Sequence, residues 1–217
     1  MSNETNAVMK NMTNNAGTGK KMNYGVRFTT MTAMLSAIAF ILMYLEIPLP
    51  MIMPDFIKFD FSDLPALIGT FAFGPVSGVI ICLIKNLLHL MVSKSMFVGE
   101  LSNFILGCAF VIPAGLIYHF KKTKMGGLLG GVVGAIFMGV FSVASNYFIV
   151  YPVYYNFMPE EVILAAYQAI LPSVKNILQC LICFNMPFTI IKGMFSVVIT
   201  FLTYKHISPI LKGSQNR

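Results

Sequence analysis

Phe59-Asp60-Phe61-Ser62-Asp63-Leu64-Pro65-Ala66-Leu67-Ile68-Gly69-Thr70-Phe71-Ala72-Phe73-Gly74-Pro75 is the stretch on which the fold turns. It opens on two carboxylates, closes on Gly-Pro and is apolar between them. Ser62 or Asp63 suits a helix N-terminus, because a short side-chain oxygen accepts from the open N–H groups of the first turn. Pro65 is tolerated there, where a missing N–H costs little. Gly74-Pro75 ends the helix. The apolar part is shorter than the ~20 residues a full span requires, so periodicity alone leaves five or six spans.

One apolar run lies upstream, Val26–Leu45. Downstream come Pro75–Val92, Leu101–Phe120, Met125–Val150 and the longer Ile177–Tyr204, whose one charge is Lys192. Pro187 is expected to kink that last run, since its ring removes a backbone donor in mid-helix. Hydrophobic residues make up 57% of the 217 positions and charged residues 11%, where soluble domains carry about 25% charged residues. Lipid is the simpler solvent for such a chain.

Charge decides the count. With six spans, Lys10, Lys20, Lys21, Arg27, Lys121, Lys122, Lys124, Lys205, Lys212 and Arg217 fall on one side of the bilayer. Lys58, Lys94 and Lys175 fall on the other, and Lys85 and Lys192 lie within spans. Five spans would set the Lys121-Lys122-Thr123-Lys124 loop opposite the basic N-terminus, against the positive-inside rule. The expected fold is therefore an all-α integral membrane protein, a six-transmembrane-helix bundle over residues 24–207 with an outward-facing ligand pocket. A disordered cytoplasmic tail, 1–23, precedes it and a cytoplasmic C-terminal tail, 208–217, follows. Alternation in Phe56-Ile57-Lys58-Phe59-Asp60-Phe61 suggests an extended piece in the first outward loop. Val162–Leu171 is too short to span and is expected to lie over the bundle as a lid or interfacial helix.

The net charge of +7 does not point to nucleic acid, because the basic residues cluster beside apolar runs and form no basic face interleaved with aromatics. Cys82, Cys108, Cys180 and Cys183 all sit in apolar stretches. The Cys180-Leu-Ile-Cys183 spacing reads as inert packing, since no positive, partly exposed surroundings are evident to activate a thiol. No phosphate loop, HExxH zinc site, GxSxG nucleophile elbow or Rossmann fingerprint is present. No catalytic or metal-ligating residue is assigned, and any ATP hydrolysis must come from another chain.

Polar groups inside spans are costly and call for a purpose. Lys85, Asn86, His89, Asn103, Asn146, Asn185 and Lys192, with Glu100 at a span entrance, fall mostly near the outer helix ends. With Asp60 and Asp63 they are expected to converge on one pocket. Lys85 has Asp63 or Glu100 as a partner, and His89 reads as structural. Small-xxx-small faces, Ala33/Ala37 on the first helix and Gly127/Gly131 and Gly130/Gly134 on the fifth, allow close approach either within the monomer or to a partner.

These residues resemble a known family. Phe59 to Gly69, Phe73-Gly74-Pro75, Lys85-Asn86-Leu87-Leu88, Gly99-Glu100-Leu101-Ser102-Asn103-Phe104, Ser145-Asn146-Tyr147-Phe148 and Pro187-Phe188-Thr189-Ile190-Ile191-Lys192-Gly193 look like the riboflavin-specific S component of energy-coupling factor (ECF) transporters. The likeness runs from Tyr24 to about Pro209. It implies a non-enzymatic substrate-capture subunit in the bacterial cell membrane, with both termini cytoplasmic. Riboflavin is then a transported ligand and not a cofactor. The implied partners are a transmembrane coupling subunit, which meets an Ala-xxx-Ala face matched by Ala33 and Ala37, and two cytoplasmic ATPase subunits.

The ligand's chemistry suits the residues. Asn146 can donate to and accept from the amide-like edge of a flavin, and Lys192 can donate to a carbonyl or hydroxyl oxygen. Glu100 or Asp60 can accept from ribityl hydroxyls, while Phe56 and Phe188 cover the ring. Lys85, Asn103 and Asn185 complete the candidate set. Thr189 departs from the family, which often carries Asn three residues before the sixth-helix lysine; Asn185, one turn earlier, is the candidate to compensate. The rival readings are an S component for another vitamin or flavin precursor, a membrane enzyme, and a stand-alone secondary transporter.

Overall fold

The computed structural model describes residues 24–54, 57–93 and 97–212. Phe56 and the N-terminal tail lie outside these residues. Helix α1, Tyr24–Tyr44, leads into a two-stranded antiparallel ladder, β1 Ile47–Pro48 with β2 Lys58–Phe59, in which Ile47 faces Phe59. The extended piece expected from the alternation is this second strand. Next come α2, Asp63–Phe73, and α3, Pro75–His89, which closes in a 3₁₀ turn, Leu90–Val92. Helix α4 runs Val98–Phe120 and α5 Lys124–Ser145. A π-turn, Asn146–Val150, joins α5 to α6, Tyr151–Tyr154. Helix α7, Glu160–Gln168, is followed by α8, Ile177–Cys180, a second π-turn, Leu181–Asn185, and α9, Met186–Lys212. Helix α9 thus carries on five residues into the segment set off as a C-terminal tail.

Among the described residues, five stretches are long and apolar enough to cross a bilayer: Gly25–Tyr44, Pro75–Val92, Val98–Phe120, Lys124–Tyr154 and Ile177–Thr203. Helix α2 is apolar but short. Its burial explains the length. Asp63 and every residue from Pro65 to Phe71 are buried, with α1, α3, α4 and α9 packed around the helix. A helix walled in by its neighbours needs no lipid-facing length. Gly74 closes it at φ +96°, a conformation side-chain-bearing residues rarely adopt, and donates its N–H to the Thr70 carbonyl at 2.8 Å. Pro75 then opens α3, so two packed helices follow each other with one residue between them.

The remaining glycines settle one of the sequence's open choices. A Cβ on Gly130 would stand 2.7 Å from the Ala114 carbonyl oxygen, and one on Gly134 2.6 Å from that of Phe110. These glycines let α5 lie against the backbone of α4, so their face is packing within the monomer. Ala33 and Ala37 are different: both are exposed, in a band with Met34, Ile38 and Ile41, while Thr32, Leu35, Ser36 and Ala39 form the buried face of α1. Two apolar clusters result. The larger, around Leu67, Ile81, Phe110, Met138 and Val197, fills the bundle; the smaller, around Val98, Tyr151, Ile163, Tyr167 and Leu181, lies under α7. The apolar stretch after Glu160 therefore forms a packed cap, with Ile163 and Tyr167 pointing inward.

Candidate functional site

A cavity of about 400 Å³ borders both clusters, within the range of small-molecule sites. The first loop and strand β2 contribute Glu46, Ile57, Lys58 and Asp60; α2 gives Asp63; α4 gives Glu100, Ser102, Asn103 and Leu106. The end of α5 and its π-turn give Met138, Asn146 and Val150, with Tyr151 and Tyr154 just beyond. Asn185, Phe188, Thr189 and Lys192 come from the last helix. Of the sequence candidates, Asp60, Glu100, Asn103, Asn146, Asn185, Phe188, Thr189 and Lys192 line this one space.

Lys85 does not. It is fully buried behind the wall, where Nζ donates to Ser62 Oγ at 2.6 Å and to Asp63 Oδ1 at 2.7 Å. A buried ammonium needs a matched carboxylate, and Asp63, from the adjacent helix, supplies it. Asp63 also faces Lys192 Nζ at 3.3 Å, and the same ammonium donates to Asp60 Oδ2 at 2.8 Å. Asp60 Oδ1 accepts from the Ser62 N–H at 2.8 Å. Burial favours the neutral acid at Asp60, but Lys192 and then Lys85 outweigh it and hold the carboxyl below its ordinary pKa. Two lysines and two aspartates thus form one charge-matched layer, with Asp60, Asp63 and Lys192 on the cavity floor and Lys85 behind it.

The other charged lining groups are paired as well. Lys58 bonds Glu46, tying β2 to the chain beyond α1, and His89 Nδ1 meets Glu100 Oε1 at 2.8 Å. Glu100 therefore reaches the cavity already engaged by His89. The three asparagines divide their roles by the partners they already hold. Asn146 Oδ1 accepts from Ser102 Oγ at 3.0 Å, and Asn185 Oδ1 accepts from the Tyr167 hydroxyl at 2.7 Å, so the oxygen of each carboxamide is engaged and its N–H groups are the donors left to assign. Asn103 Nδ2 reaches Asp60 Oδ2 at 3.5 Å, while its Oδ1 is buried with no hydrogen-bond partner among the described residues. That oxygen is an unpaired acceptor buried beside the cavity.

Tyr167, Tyr151 and Asn185 form a chain, the two hydroxyls 2.6 Å apart. Burial raises the Tyr167 hydroxyl well above its ordinary pKa, and Tyr151 acts in the same direction, so it stays a neutral donor. Helix α7 is in this way fixed to the cavity through one phenol. Phe188 packs edge-on to Phe59, with ring centroids 6.0 Å apart. Sequence reasoning gave no site role to Glu46, Lys58, Ser102, Tyr151 or Tyr154. Ser102 was within reach, one position from Asn103 at the mouth of the same span; Tyr151 and Tyr154 were not, because the turn that aims them inward has no periodic signature.

The chain matches the ECF transporter, substrate-specific component family over residues 21–204. It is similar to the riboflavin transporter RibU of Staphylococcus aureus (strain TCH60), with 34% identity over 181 residues, covering 83% of this chain and 89% of that protein. The riboflavin transporter FmnP of Bacillus subtilis (strain 168) is 30% identical over 187 residues, covering 85% and 93%. A solved structure described as the S component of a bacterial ECF transporter aligns with a TM-score of 0.67 and 33% identity, covering 86% of this chain and 98% of that one. A multi-pass membrane chain with one polar-lined cavity shared by its helices and matches of this extent belongs to the substrate-specific components of ECF transporters.

Proposed function

We propose that this chain captures riboflavin for an ATP-driven ECF transporter in the bacterial cell membrane. Helix α2 counts as a sixth, interior span in this reading; both termini are cytoplasmic and the cavity opens outward. The observation that carries it is the composition of the cavity wall. The carboxamides of Asn146, Asn185 and Asn103, the last with an unpaired buried oxygen, and the ammonium of Lys192 stand around apolar surface from Leu106, Met138, Val150 and Phe188. A flavin has the same division, with a carbonyl- and N–H-bearing edge, a chain of hydroxyls and an apolar ring. The names of the relatives support the same ligand.

Charge supports a guest without net charge. Lys58 and Lys192 each face a carboxylate, so a phosphate would meet cations already matched. The wall does no chemistry in this reading: the chain binds and orients, and a coupling subunit with two ATPase subunits supplies the work. The exposed band of Ala33 and Ala37 supports a docking face for the coupling subunit, because small side chains left outside the monomer permit close backbone approach.

Titration of the washed, detergent-solubilised chain against riboflavin, followed by quenching of flavin fluorescence, tests the reading. Saturable binding is expected, weakened in Asn146→Ala and Lys192→Ala and weaker for the phosphorylated flavin. A chain that leaves the fluorescence unchanged, or variants that titrate like the parent, would refute it.

A further inference from the structure

Both breaks in the long outer helices obey one rule. The Tyr151 N–H bonds the Asn146 carbonyl and the Met186 N–H bonds that of Leu181, each five residues back where an α-helix would reach four. In each case the next residue is a proline, Pro152 or Pro187. A proline in a helix has no N–H, and its ring crowds the carbonyl four residues earlier. Those carbonyls belong to Phe148 and Cys183, the middle residues of the two π-turns. Widening the turn moves that carbonyl aside and lets the helix go on.

The extra residue changes which side chains share a face. At about 100° per residue, positions 146 and 151 of an unbroken α-helix would point about 140° apart. Here Asn146 and Tyr151 are both buried and line the same cavity. On the last helix the second π-turn shifts register between α8, which packs under α7, and the cavity-facing Phe188, Thr189 and Lys192. Asn185 is the final residue of that turn. We infer that Pro152 and Pro187 are positioning residues, whose π-turns aim the carboxamides of Asn146 and Asn185 into the ligand cavity. This inference rests on the flavin reading above.

The test replaces each proline in the full chain, Pro152→Ala and Pro187→Ala, alone and combined with Asn146→Ala and Asn185→Ala respectively. Pro113→Ala serves as control, because Pro113 lies inside α4 without a widened turn. Riboflavin affinity and the melting temperature of the unliganded chain are both read. Each proline variant should bind about tenfold more weakly, a change of one or two hydrogen bonds, with an unliganded melting temperature equal to the parent's or higher. In the alanine background of its own asparagine, the same substitution should weaken binding less than about twofold, since a residue acting through another is not additive with it. Pro113→Ala should bind as the parent does. Affinity within twofold of the parent, equal losses in both backgrounds, or losses that track a lowered melting temperature would each overturn the assignment. A parent that fails to bind riboflavin overturns the flavin reading and this inference together; a binding parent with unaffected proline variants overturns the inference alone.

Discussion

The seam between α4 and α5 and the charged layer at the cavity floor, Asp60, Asp63 and Lys192 backed by Lys85, hold helices together by opposite means. In the seam, glycines bring two backbones close with nothing but shape to match. At the floor, the buried Asp60, Asp63 and Lys85 and the partly buried Lys192 are linked by ion pairs. Shape fails when atoms are added, charge matching when one is taken away. The floor also has to be polar: a ligand with hydroxyls and amide groups needs groups to meet it, and a seam of glycines offers none.

Asp63 gives the sharpest test of that contrast, because one carboxylate serves both Lys85 and Lys192. Asp63→Ala strands a fully buried ammonium, and breaking a buried pair costs about 3–5 kcal/mol. The unliganded protein should melt far below the parent, and Asp63→Asn, which keeps the volume, should fall nearly as far. If the asparagine variant melts like the parent, the floor is held by packing and the distinction between the two regions is lost.

Next in size is Gly134→Val. Its Cβ would meet the Phe110 carbonyl at 2.6 Å, and a backbone atom cannot swing away as a flexible side chain does. Overpacking of this kind costs about 1–3 kcal/mol, read as a lowered melting temperature. Gly25→Ala is the matching control, since nothing lies within 4 Å of its added carbon. Equal stability of both variants with the parent would show that α4 and α5 have slack.

The two regions were unequally legible in the sequence. Glycines at four-residue spacing mark a close-packed face without naming its partner, and Asp63 is one of two carboxylates open to Lys85, so the seam and half of the floor are legible as alternatives that the fold then decides. Sequence alone nonetheless puts Lys85 among the ligand contacts, because a span lysine looks the same whether it meets a guest or, as here, a carboxylate behind the wall. The pairing of Lys192 with Asp60, 132 residues apart, depends on which helices become neighbours, and no local pattern encodes that. Nor does any pattern disclose the π-turns, as apolar residues continue on both sides of them. Pro187 lies inside the apolar run Ile177–Tyr204 and predicts a kink there; Pro152 falls beyond the run Met125–Val150 and carries no such signal.

Below the seam in expected size stands Tyr167, whose hydroxyl links α7 to the cavity through Asn185 and Tyr151. Tyr167→Phe removes those bonds but keeps the ring that fills the outer cluster. A typical hydrogen bond contributes about 0.5–1.5 kcal/mol net, so riboflavin affinity should fall by roughly two- to tenfold. A larger loss together with a lowered melting temperature would mean that the phenol holds the cap itself, and does more than orient Asn185.

The smallest expected effect on the isolated chain belongs to Ala33→Leu. Ala33 and Ala37 are exposed on the outer side of α1, away from seam and floor alike, so added bulk there meets lipid. The unliganded melting temperature and the riboflavin titration should match the parent's, which neither Asp63→Ala nor Gly134→Val would allow. Uptake by the assembled transporter should nevertheless drop, because a leucine keeps a partner helix from the close contact that alanine permits. Normal uptake would remove this face from the proposed coupling interface. A drop in melting temperature would instead mean that α1 is packed more tightly on that side than its exposure indicates.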